Sequence, residues 1–179
     1  MHDAGAVYGE ALYGLASEEG LSEQILEDLS LVCRVAGENP EYLRLLSEPS
    51  IPKEDRRALL DEAWGESLHP YTLNFLKLLC DNGYVTKLPG CEREYRRRYN
   101  RDRGIIQVRA VCASELSDAQ REKLLETLRR RTGKTVELTV SVDPTLLGGM
   151  RLDMDGVQLD GSVRHHLDAL QKLLQSSSM

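Results

Sequence analysis

The sequence predicts a mainly α protein with a smaller α+β part: an amino-terminal six-helix bundle followed by a small α+β carboxy-terminal domain. Three observations carry this. Up to Gly104, apolar residues recur at three- and four-residue spacing in six segments separated by glycine and proline. After Gly104 the period changes to two, in Ile105–Ala113 (IIQVRAVCA) and Thr135–Val142 (TVELTVSV). The stretch Val142–Leu174 then contains a turn, an alternating hairpin and an amphipathic helix in quick succession. Domains are therefore expected at residues 1–104 and 105–179.

The first helix is expected over residues 4–19. Ala4, Val7, Tyr8, Ala11, Leu12 and Leu15 form its apolar face, and Gly20 closes it. Gly5, Gly9 and Gly14 each weaken it by up to about 1 kcal/mol against alanine, so close approach of another helix is the physical reason to keep them. Ser22 is the expected cap of a second helix, whose face is Ile25, Leu26, Leu29, Val32, Cys33 and Ala36. Pro40 begins a short third helix. Pro52 suits the first residue of a fourth, with Glu54 and Asp55 where the helix dipole favours acids.

The fifth helix, Pro70 to Asp81, ends at Asn82-Gly83. Its Tyr71, Leu73, Phe75, Leu76, Leu78, Leu79 and Cys80 point in nearly every direction around the axis, so it must be covered all round. Periodicity alone leaves open whether other helices or a partner supply the cover. The sixth segment, Leu88 to Gly104, carries six arginines and Tyr95 and Tyr99 in its second half. A solvated helix end, its cations near the C-terminal dipole, is the reading preferred over an RNA contact.

In the carboxy-terminal part, Ser117-Asp118 caps a helix to Arg131 with Leu124, Leu125 and Leu128 on one side, closed by Thr132-Gly133. Asp143-Pro144 opens a turn. Gly148 and Gly149 supply conformational freedom or close backbone approach, and Met150, Leu152 and Met154 alternate with Arg151, Asp153 and Asp155. Asp155-Gly156 suits a two-residue hairpin turn, with Val157 and Leu159 on the return strand. Asp160-Gly161-Ser162 then starts a last helix with Val163, Leu167, Leu170 and Leu174 in one stripe.

Composition narrows the function. The chain of 179 residues has a net charge of −6, unevenly placed. Residues 1–91 hold 7 basic and 16 acidic side chains, so this half repels nucleic acid and anionic lipid and favours basic partners. No apolar run reaches membrane-spanning length, and the start MHDAG lacks a secretion signal. Cys33, Cys80, Cys91 and Cys112 have no C-x-x-C spacing and are expected as reduced core thiols. His165 and His166 point about 100° apart on a helix, which disfavours a shared metal. Asp143, Asp153, Asp155 and Asp160 lack EF-hand spacing. No phosphate loop, nucleotide fingerprint or catalytic triad pattern is present, so no catalytic residue, metal or cofactor is expected. An adaptor with an over-apolar groove fits these features. A small soluble enzyme, or an RNA-binding adaptor using residues 93–103, is the alternative.

Leu146-Leu147-Gly148-Gly149-Met150 together with Asp160-Gly161-Ser162-Val163-Arg164 resembles the signature of the delta subunits of bacterial F-type ATP synthases, the oligomycin-sensitivity-conferring protein family. Tyr8-Gly9-Glu10-Ala11-Leu12-Tyr13 and the run from Phe75 to Gly83 resemble that family's first and fifth helices. The resemblance implies a non-catalytic stator subunit, one copy per complex, peripheral at the cytoplasmic face of the cell membrane. It implies alpha-subunit amino termini as partners of a groove formed by Tyr8, Ala11, Leu12, Leu15, Phe75, Leu78 and Leu79. It also implies b-type stalk subunits as partners of the second domain, with the stripe of Val163, Leu167, Leu170 and Leu174 as the expected contact. Nucleic acid and membrane insertion are not expected.

Overall fold

The computed structural model describes residues 3–144, 146, 150–154 and 157–159. It is mainly helical with a smaller mixed sheet, and it divides into two compact units, Met1–Tyr99 and Asn100–Met179.

In the first unit α1 spans Ala4–Glu18, α2 Ser22–Glu38, α3 Pro40–Ser47, α4 Lys53–Trp64, α5 Pro70–Asp81 and α6 Leu88–Asp102, with a 3-10 turn at Val85–Lys87. Asp3 caps α1, its carboxylate accepting the Gly5 N–H at 3.1 Å. Gly20 ends α1 with φ of 71°, and the Leu21 N–H reaches back to the Ala16 carbonyl at 2.8 Å. The expected Ser22 cap is not formed. Ser22 is already the first helical residue, and no side chain caps α2. Ser22 is buried, and its carbonyl accepts the Tyr95 hydroxyl at 3.0 Å.

Ile25, Leu29, Leu76, Leu79, Leu88 and Tyr95 form the centre of this unit's core, drawn from α2, α5 and α6. Tyr95 and Tyr99 belong to the buried stripe of α6, so the arginine- and tyrosine-rich segment is not simply a solvated end. Tyr95 stands edge-on to Tyr13, ring centroids 5.2 Å apart. The glycines of α1 separate by role. An added Cβ at Gly5 would lie 3.2 Å from Gly90, and one at Gly9 would overlap the Cys91 carbonyl oxygen. Gly14 faces open space.

In the second unit β1 is Ile105–Cys112, α7 Asp118–Thr132, β2 Thr135–Val142, β3 Met150–Met154 and β4 Val157–Leu159. The strand order is β2-β1-β3-β4. β1 and β2 run parallel, joined through α7, as a parallel pair requires a crossover. β3 pairs antiparallel with β1 and with β4. Ser117 and Gln120 form a reciprocal capping box on α7, and Gly133 ends it with φ of 65°. Ile106, Val108, Ala110 and Cys112 bury one face of β1 with Val136, Leu152, Met154 and Leu128 of α7. Gly148, Gly149, the Asp155-Gly156 turn and the whole segment from Asp160 onward lie outside the described residues.

The glycine contacts give a paired expectation. Gly9→Ala forces the α1 and α6 backbones apart and should destabilise the protein by about 1–3 kcal/mol. Gly14→Ala, in open space within a helix, should stabilise by about 0.4–1 kcal/mol. Urea denaturation of both variants checks this, and a neutral Gly9→Ala would show that the contact yields without cost.

Candidate functional site

The helical unit has an open apolar trough between α1 and α5, with a volume of about 340 Å³. Tyr8, Ala11, Leu12 and Leu15 supply one wall, and Tyr71, Asn74, Phe75 and Leu78 the other. Each set repeats at three, four and seven residues, the spacing that puts side chains on one helix face over two turns, about 10 Å. Leu12 and Phe75 are buried, whereas Leu15 and Leu78 remain 42% and 47% exposed. The exposed pair are large apolar side chains held in water along a concave surface, which is the property of a docking groove.

Both walls are fixed from behind. α1 is held against α6 by the close backbone contact at Gly5 and Gly9, and Arg98 bridges Glu10 of α1 at 2.7 Å and Glu94 of α6 at 2.8 Å. α5 is tied at its start by Asp28 of α2, whose carboxylate accepts from the His69 N–H at 2.9 Å and the Thr72 hydroxyl at 2.7 Å. His69 Nδ1 accepts the Tyr71 N–H at 3.2 Å, capping the same end. At the other end, Arg56 is buried and donates from one guanidinium nitrogen to the carbonyls of Leu46, at 3.1 Å, and Cys80, at 3.4 Å. Lys77 pairs with Asp61 at 2.5 Å, and Arg57 with Asp81, joining α5 to α4. The Arg57 hydrogen bond holds the Asp81 carboxyl below its ordinary pKa.

Of the groove residues expected from sequence, the structure brings together Tyr8, Ala11, Leu12, Leu15, Phe75 and Leu78. Leu79 is a correction. It is 0% exposed and does not line the trough, because it lies about 90° around α5 from the middle of that stripe. Gly9 likewise serves the α6 contact and not the trough. Tyr71 and Asn74 were missed as lining residues, although each sits four before a residue of the trough and so shares its face. The anchors Asp28 and Arg56 had no sequence signal, since their partners are distant in the chain. Val163, Leu167, Leu170 and Leu174, with Gly148, Gly149, Asp160, Gly161, Ser162 and Arg164, lie outside the described residues.

The other chemistry is structural. Burial pushes the Cys33 thiol up to about 12 and the Cys91 thiol up to about 11, which keeps both protonated and poor nucleophiles at neutral pH. Among the six arginines that suggested an RNA surface, Arg96, Arg97 and Arg98 pair with carboxylates. Arg96 pairs with Glu92 at 2.6 Å, Arg97 with Glu94 at 2.7 Å, and Arg98 as described. Hydrogen bonding from Arg97, then from Arg98, holds the Glu94 carboxyl below its usual range against the opposing effect of burial. Tyr95 and Tyr99 are buried and offer no face for a base to stack on. Among the described residues no helix is long and apolar enough to cross a membrane.

Comparison with known proteins places these features. Residues 5–174 match the ATP synthase delta (OSCP) subunit family. The chain is 36% identical over 170 residues to the ATP synthase subunit delta of Rubrobacter xylanophilus, covering 94% of each chain. It is 39% identical over 165 residues to that of Gloeobacter violaceus, covering 91% of this chain and 89% of the relative. A further relative, 30% identical over 168 residues, is the sodium ion specific subunit delta of Propionigenium modestum, with 94% of this chain and 96% of the relative covered. The fold is similar to a chain in the cryo-EM structure of the Toxoplasma gondii mitochondrial ATP synthase hexamer, with a TM-score of 0.68, 22% identity, and 97% and 98% of the two chains covered. The chain therefore belongs to the ATP synthase delta (OSCP) family, whose members are structural subunits with no catalytic site of their own.

Proposed function

We propose that the chain acts in the stator of an F-type ATP synthase by gripping two helical partners, one with each domain. In this reading residues 1–104 work as a six-helix bundle whose α1–α5 trough takes the amphipathic amino-terminal helix of an alpha subunit. Residues 105–179 hold the end of the peripheral stalk formed by b subunits, with Val163, Leu167, Leu170 and Leu174 as the contact stripe. One copy per complex sits at the cytoplasmic face of the cell membrane without entering it. It supports ion-driven ATP synthesis by keeping the catalytic head from turning with the rotor.

The observation that carries the first half is the trough itself: two four-residue stripes, apolar except for Asn74, open on one side and tied from behind to α2, α4 and α6. A helix laid between them buries Leu15 and Leu78 at about 25 cal/mol per Å² of apolar surface removed from water. The acidic excess of residues 1–91 favours a partner with lysine or arginine flanking its apolar stripe.

A pair of leucines tests the trough. Leu78→Asp leaves the free protein nearly as stable, because the new carboxylate stays wet, but it weakens binding of a synthetic alpha amino-terminal peptide by about 2 kcal/mol or more, some thirtyfold. Leu79→Asp buries a charge in the core and costs stability by about 4 kcal/mol or more. Thermal midpoints and calorimetric titration separate the two. Equal loss of stability in both variants would make Leu78 ordinary core and remove the trough as a site.

The second domain has its own test. Truncation after Gly161 should abolish association with the b-subunit stalk while peptide binding to the helical domain persists. Unchanged stalk binding would place that contact elsewhere. Limited proteolysis should also release a resistant fragment close to residues 1–104, and early cutting within 1–90 would count against the division.

A further inference from the structure

We infer that Asn74 sets the register of the docked helix, by requiring a polar side chain within that helix's apolar stripe. This inference rests on the trough being a helix-binding site. Every other lining residue is an aliphatic or aromatic side chain. Asn74 stands between Tyr71 and Leu78 on the exposed lip of α5, where a leucine would complete the stripe. Asparagine is also a poorer helix former than leucine, so local structure does not ask for it there.

Its amide is also uncommitted, making no hydrogen bond to any other described residue. The other asparagines placed at helix ends behave differently. Asn39 donates from its side chain to the Val35 carbonyl at 3.0 Å, and Asn82 to the Leu78 carbonyl at 2.9 Å. Both acceptors lie in the last turn of a helix and also take the same asparagine's backbone N–H. Asn74 lies inside α5 on its exposed side, and its amide is left to solvent.

Docking a helix changes that balance. Water leaves the lip, and an unmatched amide then loses its hydrogen bonds without replacement. A partner with glutamine, asparagine, serine or threonine opposite Asn74 restores them, whereas a partner slipped by one turn presents an apolar side chain and is disfavoured. A single polar residue in an otherwise apolar seam fixes coiled-coil register in the same way.

Direction follows from charge. Tyr8 packs against Phe75 and Tyr84, at 6.5 and 5.7 Å between ring centroids, so α1 runs antiparallel to α5 and Leu15 lies toward Tyr71. Beyond Leu15, at three and four residues, come exposed Glu18 and Glu19, which form no ion pair among the described residues. The occupant is therefore an amphipathic helix with a polar residue inside its stripe and lysine or arginine at the end that meets Glu18 and Glu19.

The experiment uses two synthetic helical peptides with identical leucine stripes and lysines placed to face Glu18 and Glu19. One carries glutamine at the central stripe position and the other leucine. Both are titrated by fluorescence anisotropy against the full chain and its Asn74→Leu and Asn74→Ala variants. The native chain should prefer the glutamine peptide by about tenfold, Asn74→Leu should reverse the order, and Asn74→Ala should abolish the preference. Unchanged thermal midpoints would show that the variants differ in the groove alone. The same peptide ratio for all three chains would overturn the role of Asn74 while leaving the groove intact. Failure of both peptides to bind the native chain would remove the groove reading and this inference with it. Self-association of the free chain that excludes both peptides would assign the trough to a second copy and overturn the partner proposed.

Discussion

Where α1 meets α6, Gly5 and Gly9 bring two helix backbones so close that no side chain fits between them, and an added Cβ at Gly5 would lie 3.2 Å from Gly90. That contact fixes the depth of α1 in the helical unit. With its glycine side pressed on α6, Leu12 reaches the core and Tyr8, Ala11 and Leu15 turn toward α5. A bulkier contact would lift α1 and widen the trough. The helix-weakening glycines are thus retained at a local cost of up to about 1 kcal/mol each because a tertiary contact requires them. Gly14, by contrast, meets nothing.

Periodicity made much of this unit legible before any coordinates. The spacing of Tyr8, Ala11, Leu12 and Leu15 sufficed to place them on one face, and the apolar excess of α5 marked it as a helix covered on several sides. What periodicity could not do was divide that excess between core and surface. Leu78 and Leu79 are neighbours of identical chemistry, yet one is half exposed and the other has no exposure at all. Their fates are decided by roughly 100° of rotation relative to α1 and α2, and the direction of that rotation is a tertiary fact.

Polar anchors were the least legible part. Asp28 looks like one of many acids on α2, and Arg56 like one of several exposed cations on α4. Each earns its role through partners far away in sequence, Asp28 through His69 and Thr72 and Arg56 through Leu46 and Cys80. The second unit shows the same limit. Alternation identified β1 and β2 as strands, but their parallel pairing depends on α7 crossing between them, which no strand pattern encodes. The Arg- and Tyr-rich run misled for a related reason. Tyr95 and Tyr99 recur at four residues, and that spacing belongs to a buried stripe as readily as to a stacking surface.

A stator has to transmit force without stretching, and the helical unit is built to that requirement. α5 is clasped at its first turn by Asp28 and at its last by Arg56, with Lys77–Asp61 and Arg57–Asp81 along its length. The exposed ion pairs among these contribute little singly, about 0–1 kcal/mol each. The Asp28 and Arg56 contacts matter more, because Asp28 satisfies the His69 N–H at the start of α5 and Arg56 is a buried cation held by the Leu46 and Cys80 carbonyls. These contacts tie α5 to α2, α3 and α4 at both of its ends. For the partner helix proposed above, ordering costs at docking would then fall mainly on the partner and on the lip side chains Leu15, Asn74 and Leu78. On the proposed reading, a groove with fixed walls favours slow dissociation, because the buried apolar side chains must be re-exposed together.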